Sequence, residues 1–252
     1  MNNKGEILTG KKWNFKIVLA GDGAVGKTSI RERYMGKGFS GDYLKTIGAD
    51  FASKKVKLED NEITFQIWDL AGQDSYSAVR STFYKGAIAA LLVFDIQDQQ
   101  TMTNLRTWLE ESIEGSNSGI LVYFVIANKI DLPPENRRVS QKMALEFCQR
   151  LMTETGINFY YSETSALTGQ NIQETFDFLA YTLLEANNVK ITKKKDLTPG
   201  IIDIKESMME PSSGEVAVSA EEFKKLVKKV EKLEGKIETI QAILKQLVQK
   251  VK

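Results

Sequence analysis

The sequence predicts an α/β fold, a mostly parallel six-stranded sheet with flanking helices. Three observations carry that expectation. Residues 89–94 and 120–126 are apolar almost without interruption, as strands covered on both faces are. Stretches with apolar residues at helical spacing alternate with the strand-like runs as far as about residue 188. A glycine-rich stretch, Gly21-Asp22-Gly23-Ala24-Val25-Gly26-Lys27-Thr28, lies between an apolar run and a helix-compatible segment, the strand–loop–helix setting of the pattern G-x-x-x-x-G-K-[ST].

Taken in order, residues 1–12 are polar and are expected to be a mobile N-terminus. Residues 15–20 form the first strand, and Ser29 to Tyr34 continue as a helix after the glycine-rich loop. Residues 39–46 have no period and read as a loop. Residues 50–58 and 62–68 are strand-like and joined by Glu59-Asp60-Asn61, a hairpin. After the strand at 89–94, Leu105, Trp108, Leu109 and Ile113 recur at helical spacing. Ser140 caps a helix through Met143, Phe147 and Leu151, residues 158–161 form a short last strand, and Ile172 to Leu184 carry a final amphipathic helix. Residues 189–220 contain a basic run and then Pro199, Gly200, Pro211 and Gly214, and are expected to be a flexible linker. The domains so read are 13–188, the linker 189–220 and a heptad helix over 221–252.

Composition removes several function classes. The 34 Lys and Arg against 33 Asp and Glu leave a net charge of +1, which argues against nucleic acid as a partner. The absence of histidine excludes Ser-His-Asp and Cys-His catalysis and histidine-ligated metals. The one cysteine, Cys148, falls in a helical apolar pattern and reads as a small buried hydrophobe in a reducing, intracellular protein. No run of apolar residues is long enough to span a bilayer.

The glycine-rich loop suits a triphosphate. Its glycines turn backbone N–H groups inward at a helix N-terminus, forming an anion nest from Gly21, Gly23, Ala24, Val25, Gly26, Lys27, Thr28 and Ser29. Lys27 brings a charge to the β- and γ-phosphates, and the Thr28 hydroxyl suits Mg²⁺. Asp69-Leu70-Ala71-Gly72-Gln73 closes a strand. Asp69 suits the Mg²⁺ shell, Gly72 offers an N–H to the γ-phosphate, and Gln73 can orient an attacking water. Thr46 can close over the metal from the preceding loop. Asn128-Lys129-Ile130-Asp131 follows a buried strand at its C-terminal end, where ligands bind in open α/β sheets. The Asp131 carboxylate can accept from guanine N1–H and the 2-amino group, which adenine does not offer. Glu163-Thr164-Ser165-Ala166 can back the base with main-chain N–H groups.

Together these motifs resemble the small GTPases of the Ras superfamily over about residues 13–186. Thr46-Ile47-Gly48-Ala49-Asp50-Phe51, Trp68 to Asp74 and Phe83-Tyr84-Lys85-Gly86-Ala87 are most similar to the Rab branch. The resemblance implies the P-loop GTPase fold and a molecular switch that binds GTP and GDP with Mg²⁺ and hydrolyses GTP, in membrane trafficking. It implies catalytic roles for Gln73, Lys27 and Thr46, and Mg²⁺ held by Thr28, Thr46 and Asp69. It implies that Phe39 packs edge-on against the guanine, that Tyr43 lies over the phosphates, and that Ser165 and Ala166 flank the base. The family's lysine after Ser-Ala is here Leu167, whose apolar side chain can pack on the ring face. An effector, an exchange factor and a GTPase-activating protein are the implied partners.

The tail departs from the Rab pattern. The chain ends Gln249-Lys250-Val251-Lys252 with no cysteine after Cys148, and position 2 is asparagine, so neither a prenyl nor a myristoyl anchor is expected. Phe223, Val230, Ile237, Leu244 and Val251 alternate with Leu226, Leu233, Ile240 and Leu247 as an a/d seam, which favours a homodimeric coiled coil. Nine Lys against five Glu over residues 221–252 also suit a peripheral contact with anionic lipid, and docking back on the nucleotide domain is a third reading. Two further readings of the whole chain stand beside the switch: a nucleotide-binding coiled-coil scaffold with little turnover, and a P-loop ATPase or kinase.

Overall fold

The two apolar runs form the middle of the sheet. In the computed structural model, which describes residues 11–38, 46–73, 77–191 and 200–209, every residue of β4 (Ala89–Asp95) and β5 (Val122–Asn128) is buried. The other strands are β1 (Lys12–Ala20), β2 (Ala49–Leu58), β3 (Asn61–Leu70), β6 (Phe159–Thr164) and β7 (Ile201–Asp203). They form one sheet in the order β2-β3-β1-β4-β5-β6-β7. The five central strands run parallel, while β2 pairs antiparallel with β3 and β7 antiparallel with β6. The expected hairpin is present, with Leu58 opposite Asn61 and Glu59 taking a left-handed φ of 51° in the turn.

The helices are α1 (Lys27–Tyr34), α2 (Ser77–Tyr84), α3 (Gln99–Thr103), α4 (Leu105–Gly115), α5 (Gln141–Thr155), α6 (Ile172–Ala186) and α7 (Ile204–Met209). Alternate side chains along each strand face opposite layers. Ile17 and Leu19 of β1 and Phe65 and Ile67 of β3 pack with Ile30 and Tyr34 of α1 and Phe176 and Leu179 of α6. Val18 and Ala20 of β1 and Leu92 and Phe94 of β4 pack with Trp108 of α4 and Phe147, Cys148 and Leu151 of α5. Tyr34 stacks on Phe176 at 3.7 Å between ring centres. Each such fully buried side chain contributes about 1.5–3 kcal/mol by removal from water. Ser140 caps α5 as its sequence position suggests, its hydroxyl accepting from Met143 N–H at 3.3 Å.

Two expectations give way. Among the described residues the sheet has seven strands, not six, and the linker expected over 189–220 holds β7 and α7 at residues 201–209. Ile201 and Ile204 are buried, at 3% and 0% exposure, and Asn158 Nδ2 donates to Asp203 Oδ1 at 3.0 Å. Proline and glycine punctuate this stretch, but its three isoleucines supply enough apolar surface to close the β6 edge and pack α7 on α5. A three-residue strand is too short for its alternation to stand out in sequence. The helix expected from Leu105, Trp108, Leu109 and Ile113 is present as α4, which the short α3 precedes, the two meeting at Asn104. The N-terminus to residue 10, Phe39, Tyr43, residues 192–199 and the heptad segment lie outside the described residues.

Candidate active site

The C-terminal ends of β1, β3, β5 and β6 carry, in turn, the glycine-rich loop, Asp69 to Gln73, Asn128 to Asp131, and Ser165 to Leu167. The chain winds to one side of β1 for β2 and β3 and to the other for β4 to β6. The first loop therefore opens at the point where an open α/β sheet forms its binding crevice.

Close approaches require glycine in this crevice, as two positions illustrate. Gly26 has φ 99°, and a Cβ there would meet Asn128 Nδ2 at 2.2 Å; at Gly72 a Cβ would meet the Asp22 carbonyl carbon at 2.4 Å. The loop is thereby pressed against both the base-side strand and the Asp69–Gln73 segment. Lys27 is buried, and its Nζ donates to the carbonyls of Gly21 at 2.6 Å and Asp22 at 2.7 Å. Burial pushes the Lys27 ammonium down to about 8, against the opposing pull of Asp69 and Asp22 and with a further push from Arg80.

Three oxygens meet beside it. Thr28 Oγ1 donates to Asp69 Oδ2 at 2.5 Å and lies 3.1 Å from Thr46 Oγ1. Asp69 is fully buried, and among the described residues its Oδ1 has no hydrogen-bond partner. Burial raises its carboxyl above the ordinary range, against the Thr28 hydrogen bond and the charges of Lys27 and Arg31. A buried carboxylate oxygen left unpaired beside two hydroxyls fits a hard divalent cation with oxygen ligands. Gln73 is half-buried at the end of the same segment, and its carbonyl accepts from Arg80 Nη1 at 2.6 Å.

The base-side residues brace one another. Asn128 is buried; its Nδ2 donates to Val25 O at 2.9 Å, and its Oδ1 accepts from Thr164 Oγ1 and Ala166 N–H, both at 3.2 Å. It acts as a strut between the two loops. Lys129, at φ 74°, places Nζ 2.5 Å from Asp95 Oδ2. Ser165 Oγ donates to Asp131 Oδ1 at 2.5 Å, which orients a carboxylate that is otherwise exposed. Arg33 of α1 donates to the carbonyls of Ala166 and Leu167, and the Leu167 side chain stands about half exposed at the rim. Ala24, Val25 and Ser29 lie in the loop and the first turn of α1 as expected.

Sequence reasoning missed four contributors. Asp22 occupies a variable position of the loop motif, yet Asn104 Nδ2 and Trp108 Nε1 each donate to its carboxylate at 2.7 Å. Arg33 and Arg80 reach the site only through the folded chain. Asp95 left a trace, a carboxylate directly ending a buried strand.

Residue types suited to a triphosphate and to a purine base thus converge from distant parts of the chain into one crevice, which defines a P-loop nucleotide-binding protein. The Ras family description matches residues 16–185. A Ypt/Rab-type GTPase, avaA of Emericella nidulans, is 38% identical over 177 residues, covering 69% of this chain and 84% of that protein. The Ypt/Rab-type GTPase ypt7 of Schizosaccharomyces pombe is 37% identical over 178 residues, with 69% and 84% covered. The Ras-related protein Rab7 of Pisum sativum is 37% identical over 203 residues, with 79% and 94% covered. The chain belongs to the Ras family, in its Rab branch, and is a GTPase. This similarity disfavours the scaffold reading and the ATPase or kinase reading. Among the described residues, no helix is long and apolar enough to cross a membrane.

Proposed function

We propose that the chain is a Mg²⁺-dependent guanine-nucleotide switch that acts at membrane surfaces in trafficking, with the site residues in the following roles. Asp131, oriented by Ser165, selects guanine, while Lys129 and Ala166 line the base. The N–H groups of residues 21–29 and the Lys27 ammonium hold the phosphates. Thr28, Thr46 and Asp69 hold Mg²⁺, which when bound neutralises charge on the β- and γ-phosphates. Gln73 orients the attacking water, and Gly72 N–H turns toward the γ-phosphate. Loss of the γ-phosphate then releases the loops that carry Thr46 and Gln73. The observation that carries this reading is the unpaired, fully buried Asp69 Oδ1 beside Thr28 and Thr46, one short segment away from Gln73.

Those loops also adjoin an aromatic strip. Phe51 and Trp68 lie 5.2 Å apart between ring centres, Trp68 and Phe83 5.5 Å, and Ile47 beside Thr46 is 80% exposed. An apolar surface next to Thr46 and Asp69 suits an effector that distinguishes the two nucleotide states. An exchange factor and a GTPase-activating protein complete the cycle. For the heptad segment, the a/d seam favours a homodimer over lipid contact.

Binding of GTP and of ATP, followed by single-turnover hydrolysis, tests the reading. GTP is expected to bind far more tightly than ATP, and Gln73→Leu to slow hydrolysis about a hundredfold with binding spared. An unchanged rate in that variant would remove the role given to Gln73.

A further inference from the structure

The residue that the nucleotide chemistry does not absorb is Arg80. Its guanidinium is buried, at 3% exposure, on the inner face of α2. Nε and Nη2 donate to the two carboxylate oxygens of Glu111 on α4, each at 2.8 Å, a bidentate pair. Nη1 donates to the carbonyl of Gln73 at 2.6 Å and to that of Ala71 at 3.3 Å. The guanidinium carbon lies 4.2 Å from the ring centre of Trp108. Trp108 in turn donates to Asp22 of the phosphate loop, and Asn104 secures the other oxygen of that carboxylate.

We infer that Arg80 is a positioning residue for GTP hydrolysis: anchored on Glu111 of α4, it grips the Ala71 and Gln73 carbonyls and holds Gln73 in register with the phosphate loop. The inference rests on the water-orienting role of Gln73. The segment is held at two points. Gly72 is packed directly on the Asp22–Gly23 backbone, and one residue to either side a carbonyl is tied to the Arg80–Glu111 pair. Both anchors converge on α4, because Asp22 hangs from Asn104 and Trp108 while Arg80 is locked on Glu111 and lies over the Trp108 ring. The Gln73 backbone and the phosphate loop therefore share one rigid support.

Arginine is required by the geometry. A planar fork serves Glu111 bidentately and still presents a third donor edge to the carbonyls, whereas an ammonium is a point charge that cannot hold both directions. A misplacement of about 1 Å in a group that orients a reactant can cost about a hundredfold in rate. Arg80 touches carbonyls and a carboxylate, not the reacting atoms, so its effect is to pre-order Gln73.

The test uses the full chain. Single-turnover GTP hydrolysis and fluorescent GDP release are measured for Arg80→Ala, Arg80→Lys, Glu111→Gln, Gln73→Leu and the double variant Arg80→Lys with Gln73→Leu. Arg80→Ala and Arg80→Lys are expected to slow hydrolysis about ten- to a hundredfold, and Glu111→Gln by less, while GDP release changes by less than about threefold. A purely structural role would instead accelerate release in step with the loss of hydrolysis, and lysine would rescue most of it. In the Gln73→Leu background the Arg80→Lys change is expected to cost nothing more, since both act through one group. Should Arg80→Ala fail to fold, the lysine and Glu111 variants decide. Unchanged hydrolysis in them, or additive losses in the double variant, overturns the inference while a slowed Gln73→Leu leaves the site reading standing. An unaffected Gln73→Leu removes the premise itself.

Discussion

The two ends of the crevice are built on different principles. At the base end, Asn128, Lys129, Asp131 and Ser165 are each engaged with another part of the protein, and Arg33 ties the last loop to α1. The strands beneath pair from Tyr123 to Asn128 of β5 with Phe159 to Thr164 of β6. At the phosphate end, Thr28, Thr46 and Asp69 cluster with a carboxylate oxygen left unpaired, and the Gln73 segment is held through backbone carbonyls. On the roles proposed above, selectivity rests on a pre-satisfied framework, where changing one partner strands several others. On the same roles, reactivity falls where polar groups keep capacity for a ligand.

The largest effect is expected where the framework meets the base. Asp131→Ala should weaken GTP binding about a thousandfold and erase the preference over ATP, measured by equilibrium titration of both nucleotides. A loss equal for both nucleotides would place selectivity elsewhere. Next comes the brace behind the base end. Ile204 is fully buried, and Glu163 N–H, next to the base loop, donates to the Gly200 carbonyl at 3.0 Å. Ile204→Ala is expected to cost about 3 kcal/mol in denaturant unfolding and to hasten GDP release, with single-turnover hydrolysis little changed. Equal losses in release and hydrolysis would show that the two ends are not separable.

The smallest effect sharpens the same boundary. Burial pushes the Cys148 thiol up to about 12 from its ordinary 9.0, so in the folded chain it stays protonated. Between pH 8 and 9 a thiol-alkylating reagent is expected to label Cys148 only after unfolding, and labelling should follow the opening of the α5 layer. The sign for stability is fixed by the same shift. The contribution is fully present below about 9 and is lost as pH rises towards 12, because the unfolded thiol ionises first. Rapid labelling of the native chain at pH 8 would contradict the burial.

Much of this was legible beforehand because it is local. The glycine-rich loop, the Asp69–Gln73 segment and Asn128 to Asp131 are contiguous runs whose residue types state their chemistry. The apolar strands that set them at one sheet edge are equally plain. Asn128 was legible only in part: its place in the base motif was clear, but not that its amide is spent on Val25, Thr164 and Ala166. β7 was missed because three residues carry too little pattern to outweigh the neighbouring Pro199 and Gly200, and its stability comes from the β6 edge it completes.

Short-range patterns in the sequence were enough for the fold class and the family, because they encode backbone period and motif spacing directly. Only the tertiary structure decided that Asp22 hangs from α4, that Arg80 grips the Gln73 carbonyl, and that residues 200–209 close the sheet. Those facts depend on which side chains become neighbours across tens of residues. No local period records such a neighbour, since a buried guanidinium is tolerated only once Glu111 and two carbonyls have been folded around it.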